Sequence, residues 1–242
     1  MLIPFNYLLF IKKKVKGVIH IGAHELEELK YYLSRNIKKI IWIEANPEKY
    51  PFLEEKLSLH NQMLLGKFAA GSIQKKANLN ISNNGESSSI LDLGTHKESY
   101  PNIFYKSKTE VKVMPVDTWL DENINIRDQY NFLNIDIQGY ELEALKGMER
   151  QLKYIDYIYL EVNYRQVYKK CSELKDIDKF LNKFNFKRVG MKKTRHGWGD
   201  AIYSKNFKSL YKAYYFFLML FLSIYEIPFY IQNIYKRIKK IC

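Results

Sequence analysis

The side chains that could do chemistry fall in a few short segments of this 242-residue sequence. HIGAH, residues 20–24, ends an apolar run and carries one glycine. Gly22 can let a ligand approach the backbone, and a helix beginning just after it offers free N–H groups. One glycine is not GxGxxG, and Leu26 stands where a dinucleotide site wants flexibility, which argues against nicotinamide chemistry. Glu44, in WIEANP, ends a second apolar run about twenty residues after Gly22. A carboxylate there can accept two hydrogen bonds from a ribose diol, and the spacing favours that over a merely solvated or capping role. Asp136, in NIDIQGYELEALKGM, lies inside an apolar strand one step from its end. A buried Asp must be paired or hydrogen-bonded. Gly139 permits a tight turn and Glu141 opens a helix, so these carboxylates shape the turn whether or not they do chemistry. Glu161 stands at the end of another apolar run, and His196 precedes Gly197-Trp198-Gly199-Asp200. That turn is either an ordinary hairpin with an exposed histidine or an overhang in which Trp198 stacks on a sugar face and Asp200 binds its hydroxyls.

These residues need elements to hold them. Residues 16–23, 38–45, 63–70, 77–82, 110–116, 130–137 and 156–162 read as strands, mostly near-continuous apolar runs. Leu26, Leu29 and Leu33 give a helical face within residues 25–35. Tyr50, Leu53 and Leu57 give another, after an Asn46 cap and Pro47, with Pro51 forcing a later start or a kink. VDTWLDE suggests a short helix. Leu142, Leu145, Met148 and Leu152 line a helix over 141–152, and Ser172 caps one that faces inward through Leu174, Ile177, Leu181 and Phe184. Residues 186–191 and 200–204 read as a closing antiparallel pair. Strands alternating with helices give a doubly wound α/β fold, mostly parallel, with the strand C-termini at one edge where ligands bind.

Composition supports one domain of this size: 47% of residues are hydrophobic and 15% aromatic. Cys171 and Cys242 form no zinc-type cluster, so neither a structural metal nor a disulfide framework is expected, and a reducing, cytoplasmic setting is the simpler reading. The N-terminal segment lacks the charge order and cleavage site of a signal peptide. The net charge of +13 is uneven: residues 205–242 carry +6, and Lys12, Lys13, Lys14 and Lys16 form a second basic cluster. The division is therefore an apolar and basic segment at 1–16, a domain at 17–204 and a basic-flanked tail at 205–242. Within the tail, residues 213–231 are almost wholly apolar, about the length that spans a bilayer, with Glu226 and Pro228 weakening that reading. A spanning helix, a helix lying on a membrane and a helix docked on the protein remain three open readings.

The segments taken together resemble the FkbM family of methyltransferases: HIGAH followed by acidic residues, WIEANP, AAGS at 69–72, SSS at 87–89, VDTWLD, NIDIQGYELEALKGM, IYLEVN and GWGDAIY. The resemblance runs from about residue 17 to 204 and is most specific over residues 136–147. It implies a seven-stranded, Rossmann-like class I methyltransferase fold with S-adenosylmethionine as cofactor. His20, Gly22, Ala23 and His24 would lie at the methionine end, Glu44 with Asn46 at the ribose, and Ala69 and Ala70 at the adenine. Asp136 would sit near the sulfonium or the acceptor. The family usually carries an acidic residue at position 20, Asn at 24 and Gly at 26, and often Glu at 138; this chain has His20, His24, Leu26 and Gln138.

Methyl transfer asks mainly for alignment, and a hydroxyl acceptor also needs a base. Asp136 and His196 are the candidates, with Glu161, Trp198 and Asp200 as acceptor-binding residues. The leading expectation is O-methylation of a sugar or glycan, with the tail holding the enzyme at a membrane if the sugar is lipid-linked. An RNA methyltransferase is the alternative suggested by charge, but the basic residues cluster at the two chain ends rather than along the strand-end face. A non-catalytic, membrane-attached binding module is the third reading.

Overall fold

A computed structural model describes Leu2 and residues 15–205. Most of the segment 1–16 and all of the tail but Lys205 lie outside the described residues, and so do the three readings of the tail. In chain order the elements are β1 (Val18–Ile21), α1 (Leu29–Ser34), β2 (Ile40–Glu44), α2 (Tyr50–Leu57), β3 (Met63–Lys67), β4 (Ala69–Ala70), β5 (Lys75–Ser82), α3 (His96–Ser99), β6 (Tyr105–Met114), α4 (Val116–Asn123), β7 (Phe132–Ile135), α5 (Glu141–Lys146), β8 (Tyr157–Asn163), α6 (Leu174–Asn182), β9 (Lys187–Lys193) and β10 (Trp198–Ser204).

Seven strands form one sheet in the order β3-β2-β1-β7-β8-β10-β9, and β4-β6-β5 form a second. β1, β2, β3, β7 and β8 run parallel, and β10 is antiparallel to both β8 and β9. This is the doubly wound sheet with a closing antiparallel pair that the sequence implies. Every residue of β1, β2 and β7 is buried, as both-face coverage requires. The period of two divides the core. Ile19, Ile21, Ile41, Ile43, Leu133 and Ile135 pack on one face with Leu120, Leu145 and Leu181 from α4, α5 and α6. Val18, Ile40, Trp42 and Phe132 pack on the other with Tyr32, Leu53 and Leu57 from α1 and α2.

Several expected boundaries move for local reasons. The helix expected from residue 25 begins only at Leu29, because His24 and Leu26 adopt φ of +43° and +61°, outside helical space. The strand expected over 63–70 breaks at Phe68: β3 stays in the main sheet, while β4 pairs with β6 in the second. The Phe68 ring turns inward, with its centroid 6.1 Å from that of Trp119. Asn46 caps a 3-10 turn at Pro47–Lys49, its Oδ1 accepting from Glu48 N at 3.0 Å, and Pro51 falls in the first turn of α2. Glu173, not Ser172, caps α6, through a reciprocal pair with Asp176. The helix expected over 141–152 stops at Lys146.

The turn after α5 is fixed by close packing. A Cβ on Gly147 would sit 2.0 Å from the Gly71 carbonyl oxygen and 3.1 Å from the Pro115 Cα, and both are backbone atoms. Gly147→Ala is therefore expected to destabilise by about 1–3 kcal/mol through overpacking. Urea unfolding checks this; an unchanged midpoint would show that the α5 turn relaxes freely.

Candidate functional site

The first turn is held against the fourth parallel strand. Gly22 has φ of +95°, and a Cβ there would lie 2.0 Å from the Asp136 carbonyl oxygen. Its N–H donates to Ile43 O at 2.8 Å, and Ala23 N donates to the same oxygen at 3.1 Å. The ends of β1, β2 and β7 are thus drawn together at one point. Glu44 at the end of β2 is 8% exposed and accepts from His24 N at 2.8 Å and Asn46 N at 2.7 Å, one oxygen each. Burial raises its pKa, and the two backbone donors oppose that rise. Each carboxylate oxygen keeps further acceptor capacity.

Two cavities open at this edge. The smaller, about 80 Å³, is lined by Gly22, His24, Glu44 and Asn46 on one side and by Phe68, Ala69, Ala70, Leu79 and Ile90 on the other. The larger, about 440 Å³, is bounded by carboxylates Glu27, Glu28, Glu86, Asp136 and Glu161 and by aromatic Tyr100, Tyr168 and Trp198. Neither lysine nor arginine is among the described residues that line it. Gly22, His24, Glu86, Asp136 and Gln138 border both cavities.

Asp136 lies at that junction, one residue past the end of β7 rather than inside the strand as the sequence suggests. Its Oδ1 accepts from Gln138 Nε2 at 2.6 Å; burial holds its pKa above the ordinary Asp value against that amide's pull. Gln138, at φ +56°, is pinned by Tyr168 Oη on its side chain and by Ser89 Oγ on its carbonyl, the latter at 2.7 Å. Glu141 does the turn-shaping work expected of it: one oxygen accepts from Gly139 N at 2.9 Å and Ile137 N at 3.2 Å, and burial pushes its pKa to about 7.

The other sequence candidates divide. Gly22, His24, Glu44, Asn46, Ala69 and Ala70 share the smaller cavity, while Glu161 and Trp198 line the larger. His20 lies on the wall of the larger cavity instead, stacked 4.5 Å from Trp42, with Nδ1 3.1 Å from Tyr32 Oη. Burial drives its pKa down to about 4, so it is neutral at pH 7. Ala23 is fully buried and borders neither cavity, its backbone N–H being spent on β2. His196 and Asp200 also border neither. The His196 ring sits 5.0 Å from that of Tyr100, and Asp200, 1% exposed, takes the Tyr159 hydroxyl. His96, Tyr100 and Tyr168 are wall residues that the sequence reading missed; α3 is only four residues long and carries no periodicity. His96 is buried, its Nδ1 has no hydrogen-bond partner, and burial lowers its pKa.

The Methyltransferase FkbM domain model matches residues 20–188. The chain belongs to that family. It is an S-adenosylmethionine-dependent methyltransferase. No curated protein matches the sequence. Among solved structures, this methyltransferase is similar to TrmK of M. capricolum in complex with S-adenosyl-homocysteine (9% identity over 85% of this chain and 70% of that one, TM-score 0.46). It is also similar to a putative RNA methyltransferase of Pyrococcus horikoshii (12%, 84% and 81%, 0.45) and a precorrin-6y C5,15-methyltransferase of Geobacter metallireducens (15%, 82% and 85%, 0.45).

The residues lining the smaller cavity of this methyltransferase offer the chemistry that an adenosyl group would use. Glu44 is pre-set by two backbone donors and still able to accept from a diol, the apolar residues opposite could face a base, and His24 Nε2 is a buried polar atom without a partner. The family's Asn and Gly at positions 24 and 26 suit the left-handed region; His24 and Leu26 occupy it at a cost of about 1–2 kcal/mol each. Glu44→Ala is expected to weaken S-adenosylmethionine binding by more than about tenfold, or 1.4 kcal/mol, in calorimetry on a folded variant. Unchanged affinity would remove Glu44 from the cofactor's contacts.

Proposed function

We propose that this methyltransferase acts on a hydroxyl of a sugar or glycan, with Asp136 as the general base. The observation that carries the reading is the position of the Asp136 carboxyl, at the junction of the two cavities. A group there touches whatever passes between a cofactor in the smaller cavity and an acceptor in the larger. Trp198 and Tyr100 offer aromatic surface, and Glu161 offers an acceptor for hydroxyls, which is the chemistry of a sugar subsite. A wall with five carboxylates, and with no lysine or arginine among its described residues, is poorly matched to the phosphates of RNA, so nucleic acid is not the acceptor favoured by charge. No helix among the described residues is long and apolar enough to cross a membrane.

S-adenosylmethionine, when bound, supplies an electrophilic methyl group. Asp136 takes the hydroxyl proton and so raises the oxygen's nucleophilicity. The Gln138 amide fixes the carboxylate's orientation, and the Tyr168 hydroxyl fixes that amide in turn. Glu161 and Trp198 position the ring, which supplies most of the alignment the transfer needs. His196 and Asp200, which border neither cavity, have no part in this arrangement.

Asp136→Asn is expected to lower kcat by about 10²- to 10⁴-fold while S-adenosylmethionine affinity changes little. Labelled methyl transfer to a panel of monosaccharides and glycans measures it. Because the base works ionised and burial raises its pKa, wild-type activity should fall as pH drops through a value above the ordinary Asp range, and that acid limb should vanish in the variant. Transfer to RNA with no transfer to any carbohydrate would sink the sugar reading, and full activity in Asp136→Asn would sink the base.

A further inference from the structure

The walls of the larger cavity are more selective than a generic sugar site. Glu161 on β8 is 6% exposed, lines the cavity, and makes no hydrogen bond or ion pair with the described residues. Burial and the neighbouring charges of Asp136, Glu141 and Asp200 raise its pKa well above the ordinary Glu value, against the smaller pull of the chain's N-terminal charge. A buried carboxylate without a partner is costly, more so beside others of like charge. Tyr159 reaches Asp200, and backbone N–H groups satisfy Glu141. For Glu161 the free acceptor capacity faces the cavity.

Three aromatic side chains stand on the same wall. Trp198 Nε1 donates to Tyr100 Oη at 3.4 Å, while Tyr168, 1% exposed, is held through its hydroxyl by Gln138. A carboxylate unpaired among the described residues beside the Tyr100 and Trp198 rings, with no lysine or arginine among the described residues of the lining, forms surroundings that suit an organic cation. No three His, Cys, Asp or Glu side chains among the described residues are grouped so as to hold a metal ion. An ammonium group would bind the Glu161 oxygens and also offset the like charge around them, beyond the offset that the chain's N-terminal charge gives.

We propose that the acceptor carries a protonated amine, and that Glu161 holds this ammonium beside the Tyr100 and Trp198 rings. Resting on the sugar reading, this makes the acceptor an amino sugar whose hydroxyl is methylated and whose amine is a recognition handle. Anionic sugars such as uronates and sugar phosphates are excluded by the same wall. Binding the ammonium favours ionised Glu161.

The test is calorimetry on the full chain with saturating S-adenosyl-homocysteine. The probes are glucosamine, N-acetylglucosamine, glucuronate and cyclohexylamine. Glucosamine should bind at least about tenfold more tightly than N-acetylglucosamine (about 1.4 kcal/mol), with no detectable glucuronate binding. Glu161→Gln should abolish the preference. Equal or tighter binding of N-acetylglucosamine overturns the amine inference and leaves the sugar reading standing. So does a preference that survives Glu161→Gln in a folded variant. Cyclohexylamine binding that depends on Glu161, with no sugar bound, supports the amine site and overturns the sugar. No binding by any probe overturns both. The four wild-type titrations decide the question even if Glu161→Gln fails to fold.

Discussion

Everything at the strand-end edge depends on one close approach, that of Gly22 to the Asp136 carbonyl. With any side chain at position 22 a Cβ would occupy the place of that oxygen, and the ends of β1 and β7 could not meet. Because they meet, the Asp136 side chain emerges beside the first turn and borders both cavities. The same turn sends the His24 N–H into Glu44, so the group able to hold a ribose and the group able to take a proton are set by one piece of backbone. Family membership supplies the reaction; this contact puts its two halves side by side.

Charge works on two scales in this protein. The chain carries +13 overall, yet the larger cavity is lined by five carboxylates with no lysine or arginine among its described residues. Net charge describes encounter and solubility, while recognition is decided by the few groups at the wall.

The sheet was legible in the sequence because β1, β2, β7 and β8 are runs of apolar residues buried on both faces, and such runs have few other readings. Glu44 was legible for the same reason: it ends such a run at a fixed distance from Gly22. Backbone exceptions were not. The positive φ at His24 and Leu26 delays α1 by several residues, and nothing in those side chains announces it. The break at Phe68 depends on a second sheet that forms from β4, β5 and β6, a tertiary event. His20 and Ala23 sit in the expected turn, but the alternation of β1 turns His20 towards Trp42, and the Ala23 N–H is taken by Ile43. His96 and Tyr100 reach the wall from a four-residue helix in a loop region, where no pattern of spacing could mark them.

A crystal structure with S-adenosyl-homocysteine bound tests the central claim most directly, that the two cavities divide cofactor from acceptor at Asp136. The ribose hydroxyls should lie on Glu44, the base against Ala69 and Ala70, and the sulfur at the Asp136 boundary, with the larger cavity left open. A ligand seated in the larger cavity, or a ribose held away from Glu44, would contradict it.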